Sequence, residues 1–173
     1  MGNPHESAQN LLIFHASGLD CAFPLEAVRE IVPMAWLVAP LGLPSALAGF
    51  LDLRGTAIPI IRLDRLFGLP EQQPGLHTPM IVLHRARGPI GIMVASVRGI
   101  VTVTSSQLLD ISKERTFLGC ATGAIEVDGD LIHLLSADAL LAANEDRILA
   151  DFSAMSHARL LQLETAPAGE ATY

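Results

Sequence analysis

The hydrophobic positions of this chain fall into short runs that are separated by glycine, proline and polar turn residues. Runs of this length between turn signals predict β-strands rather than helices. The dipeptides Ser17-Gly18 and Asp128-Gly129 each predict a tight hairpin turn between two such runs. The predicted strands cover residues 11–16, 19–23, 35–38, 50–54, 56–62, 80–84, 90–95, 97–103, 122–127 and 131–135. No long crossover helix separates these strands, so the pattern favours small β-barrels over βαβ units.

Helical spacing is confined to a few places. Residues 24–31 begin with a proline and predict a short helix or helical turn. Residues 63–68 predict another, closed by a glycine that can adopt the left-handed cap conformation. Ser136 is a candidate N-cap for residues 137–143. A longer C-terminal helix is predicted over residues 144–164, with an asparagine at its start and apolar residues at helical spacing.

These elements predict one mostly β domain flanked by two flexible tails. The domain covers residues 11–143, between an N-terminal tail of residues 1–10 and the C-terminal helix. The second tail covers residues 165–173. Within the domain, residues 68–79 resemble a linker, and we expect the two β blocks to divide there. A further crossing between the blocks near the end of the domain is left open.

Composition and charge exclude several classes of function. Of 173 residues, 50% are hydrophobic, and the net charge is −7. An acidic chain without a cluster of lysine and arginine is unsuited to nucleic acid, which requires a basic surface. Cys21 and Cys120 lie in apolar runs without a metal or redox spacing, so we expect buried, reduced thiols.

One apolar stretch is long enough to test for a membrane span. Residues 31–51 contain no charged side chain. However, Pro33, Pro40 and Pro44 would each break a helix there. We therefore predict strand, loop and strand. Residues 1–10 are polar and lack the apolar core of a signal peptide, so a cytoplasmic location is expected.

The sequence contains no pattern that indicates catalysis. It has no nucleophile elbow, no glycine-rich phosphate loop and no metal-ligand spacing among its six histidines. We predict no catalytic residue, no cofactor and no metal. The alternative that remains is a small β-barrel ligand-binding protein or enzyme that uses histidines on its strands. His15, His84 and His133, which lie within or beside apolar runs, are the candidates.

The most informative feature is a hairpin with an arginine at its turn. Residues 49–65 read GFLDLRGTAIPIIRLDR, with two β-prone runs on either side of Arg54-Gly55. Placing a charged side chain between two buried strands costs free energy unless the charge is paired within the protein or binds a partner. Arg54 could pair internally with Glu30 or Asp52, or it could bind a carboxylate of a partner.

This hairpin resembles the signature of the CheW-like domain family. Three other segments, residues 14–32, 80–103 and 117–141, are similar to further parts of the family pattern and follow in the expected order. Two positions depart from it. Arg62 and Ala95 stand where the family usually or often carries an acid.

The resemblance implies two SH3-like five-stranded β-barrel subdomains that share an apolar core, with short helices and a C-terminal helix. It implies a non-catalytic adaptor that couples the cytoplasmic tip of a chemoreceptor to the regulatory domain of a CheA-type histidine kinase. Such a protein would be membrane-associated only through the receptor array. Carried over position by position, the resemblance implies partner-binding roles for Val28, Glu30, Ile31, Gly49, Arg54, Gly55, Gly91, Val97 and Ile100.

Overall fold

The computed structural model describes residues 7–111 and 117–148, and within them the chain forms two β-sheets. The strands are β1 (Ala8–Ala16), β2 (Leu19–Pro24), β3 (Val28–Pro33), β4 (Leu37–Val38), β5 (Leu47–Leu53), β6 (Thr56–Arg62), β7 (Pro79–Leu83), β8 (Ile90–Met93), β9 (Ser96–Thr104), β10 (Ala121–Val127) and β11 (Asp130–Leu135). Helix α1 (Leu63–Phe67) follows β6, and residues 137–148 form a second helix, α2. Short 3₁₀ turns lie at Leu25–Ala27, Ser105–Gln107 and Phe117–Gly119.

The first sheet has five strands in the order β10-β11-β2-β1-β9. Its two edge strands are linked by the segment that follows β9. There the Leu109 amide donates to the Ala124 carbonyl at 2.7 Å, and the Ala124 amide donates back to the Leu109 carbonyl at 3.0 Å. This bridge brings the two edges of the sheet together, as closure of a small barrel requires.

The second sheet has six strands in the order β3-β7-β8-β6-β5-β4. Five strands were expected for each barrel, and the additional strand is the two-residue β4, which pairs with β5 through Leu37 and Val38. Its two edges, β3 and β4, are connected by only three residues of chain. Together the two sheets confirm the predicted mostly β fold, with one subdomain built on each sheet.

Strands in the centre of the molecule are buried on both faces, which explains their continuous apolar sequences. In β1, Leu11 and Ile13 point into the core of the first sheet, whereas Leu12 and Phe14 point into a core shared by both sheets. Alternate residues of a strand face opposite sides. A strand between two cores therefore has apolar residues at every position rather than at every second one.

The second sheet repeats this arrangement. In β7, Met80 and Val82 pack in the core of the second sheet, whereas Ile81 and Leu83 pack in the shared core. All four side chains are fully buried. The protein is thus held together by three hydrophobic clusters, and the shared one fixes the two subdomains against each other.

The prediction that the chain changes subdomain at residues 68–79 is wrong. The elements on both sides of that segment, β6 and β7, lie in the second sheet. The chain instead leaves the first sheet after β2 and returns to it at β9. The polar composition of residues 68–79 reflects a surface loop, since nearly all of its residues are exposed or half-buried.

Three local predictions also need correction. Residues 28–31 form the start of β3 rather than a helix, and only Leu25–Ala27 is helical, as a 3₁₀ turn. The first strand begins at Ala8, three residues before the predicted start of the domain. Helix α2 runs without a break from residue 137 through Asn144, which is buried and caps nothing. The predicted C-terminal helix beyond residue 148 and the tail of residues 165–173 lie outside the described residues.

Other local predictions are confirmed. Gly68 adopts the left-handed conformation that ends α1, with φ of 67°. Both cysteines are buried and unpaired, and burial raises the pKa of Cys21 to about 12 and that of Cys120 to about 11. Residues 31–51 are strands and loops as predicted, and none of the described helices is long and apolar enough to span a membrane.

Candidate functional site

Arg54 occupies the first of the two central positions in the tight turn between β5 and β6. Its φ is 55° and that of Gly55 is 81°. Positive φ at both positions is the requirement of a type I′ turn. The Asp52 carboxylate accepts the Gly55 amide at 2.8 Å and so holds the turn closed. Glycine at position 55 follows from this geometry, whereas arginine at position 54 does not, because only small polar residues and glycine adopt it readily.

The guanidinium of Arg54 is held by a single acidic side chain. Its Nη2 atom donates to Glu30 Oε2 at 3.4 Å, and the side chain is 75% exposed. Glu30, on β3, lies at 3.4 Å from Arg29 Nε through its other oxygen. Of the two internal partners that the sequence allowed, Glu30 is therefore the one in contact, and Asp52 is engaged by the turn instead.

The four apolar candidates divide into two exposed residues and two half-buried ones. Ile31 on β3 is 44% exposed, and Ile100 on β9 is 57% exposed. Val28 and Val97, on the same two strands, are half-buried and pack against the shared core. Both strands are sheet edges, one in each subdomain. An edge strand with exposed apolar side chains is a surface that a partner chain can cover.

Two of the predicted contact residues are inside the molecule. Gly49 is buried, with φ of 151°, and a Cβ there would lie 2.9 Å from both Leu37 Cβ and the Val38 carbonyl oxygen. Gly91 is also buried, and a Cβ there would lie 2.3 Å from the end of the Ile60 side chain. Both glycines therefore serve the backbone packing of the subdomain, and a direct partner contact by either stays a prediction. Glycine is needed at these positions because neighbouring strands pack closely against the backbone.

A second arginine of the same hairpin forms a buried ion pair that the sequence did not predict. Arg62, the last residue of β6, is 7% exposed, and Asp64 in α1 is 4% exposed. The guanidinium donates to both carboxylate oxygens, from Nε at 3.0 Å and from Nη2. Nη2 also donates to the Gln72 carbonyl at 2.7 Å. The pair thus fastens the loop after α1 to the end of β6.

The environment of this pair favours the charged form of both groups. Burial alone would raise the pKa of Asp64, but hydrogen bonds from Arg62 and from two backbone amides outweigh it and lower that pKa. The hydrogen bond to Asp64 raises the pKa of Arg62. The signal in the sequence was a charged residue ending the apolar run of β6, with an acid two positions later.

Both departures from the family pattern line one cavity of about 290 Å³. Arg62 and Ala95 both line it, and Ser17 reaches the cavity from the β1–β2 turn of the other subdomain. Residues 72–74 also line it. Two positions that are far apart in sequence therefore face a common space at the junction of the subdomains.

The three candidate histidines, His15, His84 and His133, do not form a metal-binding cluster in the described part of the chain. His84 is exposed after β7, whereas the half-buried ring of His133 packs edge-on against Phe117 at a centroid distance of 5.0 Å. Burial lowers the pKa of His133. His15 contacts Asp20 at 3.0 Å on the surface hairpin. Among residues 7–111 and 117–148, no group of histidine, cysteine and acidic side chains is arranged to hold a metal ion.

Comparison with known proteins gives consistent results. The family model described as the CheW-like domain matches residues 10–145. A probable chemotaxis protein CheW from Rhizobium etli is 27% identical over 146 residues, which cover 82% of this chain and 92% of that protein. The chemotaxis protein CheW of Rhizobium meliloti strain 1021 is 27% identical over 144 residues, which cover 79% of this chain and 90% of that protein. The crystal structure of the scaffolding protein TtCheW from Thermoanaerobacter tengcongensis has a similar fold, with a TM-score of 0.70 at 17% identity, over 79% of this chain and 90% of that chain.

Proposed function

This chain belongs to the CheW-like domain family, and from that premise we propose that it is a non-catalytic adaptor of a chemosensory array. In this role it couples the cytoplasmic tip of a methyl-accepting chemoreceptor to a CheA-type histidine kinase. It acts in the cytoplasm and associates with the membrane only through the array. An adaptor holds two partner proteins in a fixed relative position, so its functional residues lie on its surface and contact those partners.

The observation that carries this proposal is the Arg54 hairpin. A rigid turn presents the guanidinium, and 75% of its side chain remains exposed. Its contact with Glu30, at 3.4 Å, is longer than the 2.7–2.9 Å or so of a strong charge-assisted hydrogen bond. Exposed pairs of this kind are worth about 1 kcal/mol or less. A carboxylate of a partner can therefore replace or join Glu30 at little cost.

The distribution of exposed apolar side chains supports two contact surfaces. We assign Ile31, on the edge strand β3 of the second sheet, to one surface. We assign Ile100, on the edge strand of the first sheet, to the other. Val28 and Val97 support these surfaces from below through their packing on the shared core. Two surfaces on different subdomains suit a protein that must bind two partners at once.

A capture experiment with matched charge reversals tests this proposal. Wild type, Arg54→Glu and Arg87→Glu are each used to recover partners from the cytosol of the native organism. Arg87 is exposed in the turn between β7 and β8, so its reversal changes the net charge equally at another place. We expect wild type and Arg87→Glu to recover a chemoreceptor and a histidine kinase, and Arg54→Glu to recover at least tenfold less of one of them. Failure of wild type to recover either partner would contradict the adaptor role.

A double reversal separates the internal pair from the partner contact. In Glu30→Arg with Arg54→Glu, the internal pair is restored with opposite polarity. If Arg54 serves only to fix Glu30, the double variant recovers partners as wild type does. We expect recovery to remain low, because the partner's carboxylate then faces Glu at position 54. Full recovery by the double variant would assign Arg54 a purely structural role.

A further inference from the structure

The cavity at the junction of the two subdomains has an unusual hydrogen-bonding wall. It has a volume of about 290 Å³ and lies beside the buried Arg62–Asp64 pair. Its apolar surface comes from Pro74, Met93 and Val94. The polar part of the wall comes from Ser17, Arg62, Asp64, Gln72, Gln73 and Thr78. The question is which hydrogen-bonding groups of this wall are already used.

Asp64 has no accepting capacity left. Its Oδ1 atom accepts Arg62 Nε and the Arg65 amide, each at 3.0 Å. Its Oδ2 atom accepts Arg62 Nη2 and the Gln72 amide, the latter at 2.9 Å. A carboxylate offers about four acceptor positions, and all are taken. The only acid on the wall is therefore balanced by its own cation and by two backbone amides.

Donors, in contrast, remain unused. The Nε and Nη2 groups of Arg62 donate to Asp64, and Nη2 also donates to the Gln72 carbonyl. The Nη1 group makes no hydrogen bond to any described residue. The Ser17 hydroxyl and the Gln73 side-chain amide likewise make none within the described residues. The Thr78 hydroxyl accepts the Gly75 amide and keeps its own proton to donate. Gln73 also keeps its side-chain carbonyl oxygen, and the Ser17 hydroxyl can accept as well as donate. Among the lining residues, the unused group that carries a formal charge is the Nη1 group of Arg62.

We propose that this cavity is a binding site for a carboxylate group, held by Arg62 Nη1 together with the Ser17 hydroxyl. A carboxylate only accepts hydrogen bonds, so it matches a wall whose one acid, Asp64, is saturated and whose cation still has a free N–H group. Ala95 on the same wall brings no competing charge. The cavity has room for a small aliphatic acid or for the end of an acidic side chain. This inference is separate from the adaptor role and does not require it.

A titration with a small acid and its neutral isostere tests the site. Sodium propionate and propionamide are each added to the ¹⁵N-labelled full chain at pH 7 and constant ionic strength. We expect propionate to shift the backbone amides of Ser17, Gln73 and Ala95 saturably, with a Kd of about 10 mM. Propionamide has the same shape without the charge and should shift them far less. Equal responses to both compounds, or no saturable shift with propionate, would overturn the proposal.

A substitution that introduces a carboxylate into the cavity provides a second test of the site. In Ala95→Asp an acid is placed on the cavity wall, at an exposed position that tolerates a longer side chain. We expect it to occupy the site and to weaken propionate binding at least tenfold. Ala86→Asp adds the same charge in the exposed turn between β7 and β8 and should bind propionate as wild type does. Unchanged propionate binding by Ala95→Asp would mean that the acid binds elsewhere.

The source of the carboxylate is decided by a second measurement. If it is the side chain of a protein partner, Ala95→Asp should recover less of that partner from cytosol than Ala86→Asp does. If it is a free small acid, the two variants should recover partners equally while differing in propionate binding. Because the titration uses the isolated protein, its result stands whether or not the adaptor role is upheld.

Discussion

Two arginines of one hairpin have opposite environments, and the contrast distinguishes a guanidinium that is paired inside the protein from one that is left largely to solvent. Arg62 ends β6, is 7% exposed and shares two hydrogen bonds with Asp64. Arg54 lies at the turn where β6 begins, with a side chain that is 75% exposed and one contact to Glu30 at 3.4 Å. The first charge is neutralised inside the protein. The second is presented to solvent on a rigid support.

The backbone conformation at position 54 also distinguishes Arg54, because it disfavours a long side chain. The turn at Asp128-Gly129 has φ values of 53° and 85°, nearly those of Arg54-Gly55 at 55° and 81°. Aspartate is a favoured residue for this conformation, whereas a long side chain costs about 1–2 kcal/mol there. The turn alone therefore does not explain arginine at position 54. An unfavourable residue on an exposed turn therefore supports the proposal that Arg54 contacts a partner.

The largest effect is expected from breaking the buried pair. Asp64→Ala leaves the Arg62 guanidinium without its carboxylate in a nearly buried place, which should lower the free energy of unfolding by about 3–5 kcal/mol. Glu30→Ala, the matched change at the exposed pair, should cost less than about 1 kcal/mol. Urea denaturation of both variants measures the difference. Similar losses for the two would mean that exposure does not distinguish the arginines.

The buried pair should also make stability depend on acid pH. Because the pKa of Asp64 is lowered in the folded protein, its contribution is fully present above the unfolded-state value of about 3.9. It is lost as pH falls from there through the folded pKa. Asp64→Asn should therefore lose less stability than wild type between about pH 4 and pH 2. Denaturation curves at several pH values measure this, and parallel losses in both proteins would contradict it.

Sequence-based predictions of turns, which depended on adjacent residues, were confirmed, whereas the predicted change of subdomain, which depended on contacts between distant parts of the chain, was wrong. The hairpin turns depend on adjacent residues, and Ser17-Gly18, Arg54-Gly55 and Asp128-Gly129 all form as predicted. The exchange between subdomains depends on pairings such as β1 with β9, which join residues far apart in sequence. A strand's sequence indicates which of its faces are buried, but not which strand lies beside it.

Short segments were ambiguous for a different reason. Val28 and Ile31 are spaced three residues apart, which fits one face of a helix. In the structure they lie on opposite faces of β3, with Val28 in the shared core and Ile31 exposed. Over four residues, helix and strand periods cannot be distinguished, and pairing with β7 decides the outcome.

The candidate site was predicted in part. The cost of an unpaired charge pointed to Arg54 and to Glu30 as one of two internal partners, and their contact confirms that step. The buried network around Arg62 was missed, because one of its essential partners is the backbone of Gln72. Backbone groups are the same in every residue, so the sequence carries no sign of such a contact.

A smaller change in the free energy of unfolding is expected from replacing Arg54 with a residue that favours the positive φ of this turn. Arg54→Asn places a residue that accepts positive φ into the turn and should raise the free energy of unfolding by up to about 1 kcal/mol. Recovery of array partners should fall at the same time, because the guanidinium is lost. Asp128→Asn should change neither property. A destabilised Arg54→Asn protein would show that the contact with Glu30 holds the hairpin.

The smallest effect is the coupling between Arg54 and Glu30 themselves. A double-mutant cycle with Arg54→Ala and Glu30→Ala isolates their interaction from the other contacts of each side chain. For an exposed pair at 3.4 Å we expect a coupling of about 0.5 kcal/mol that decreases as salt is added. A coupling above about 2 kcal/mol would mean that Glu30 competes strongly with any external carboxylate. Arg54 would then resemble Arg62, because its guanidinium would be fixed by an acid of the same chain instead of being available to a partner.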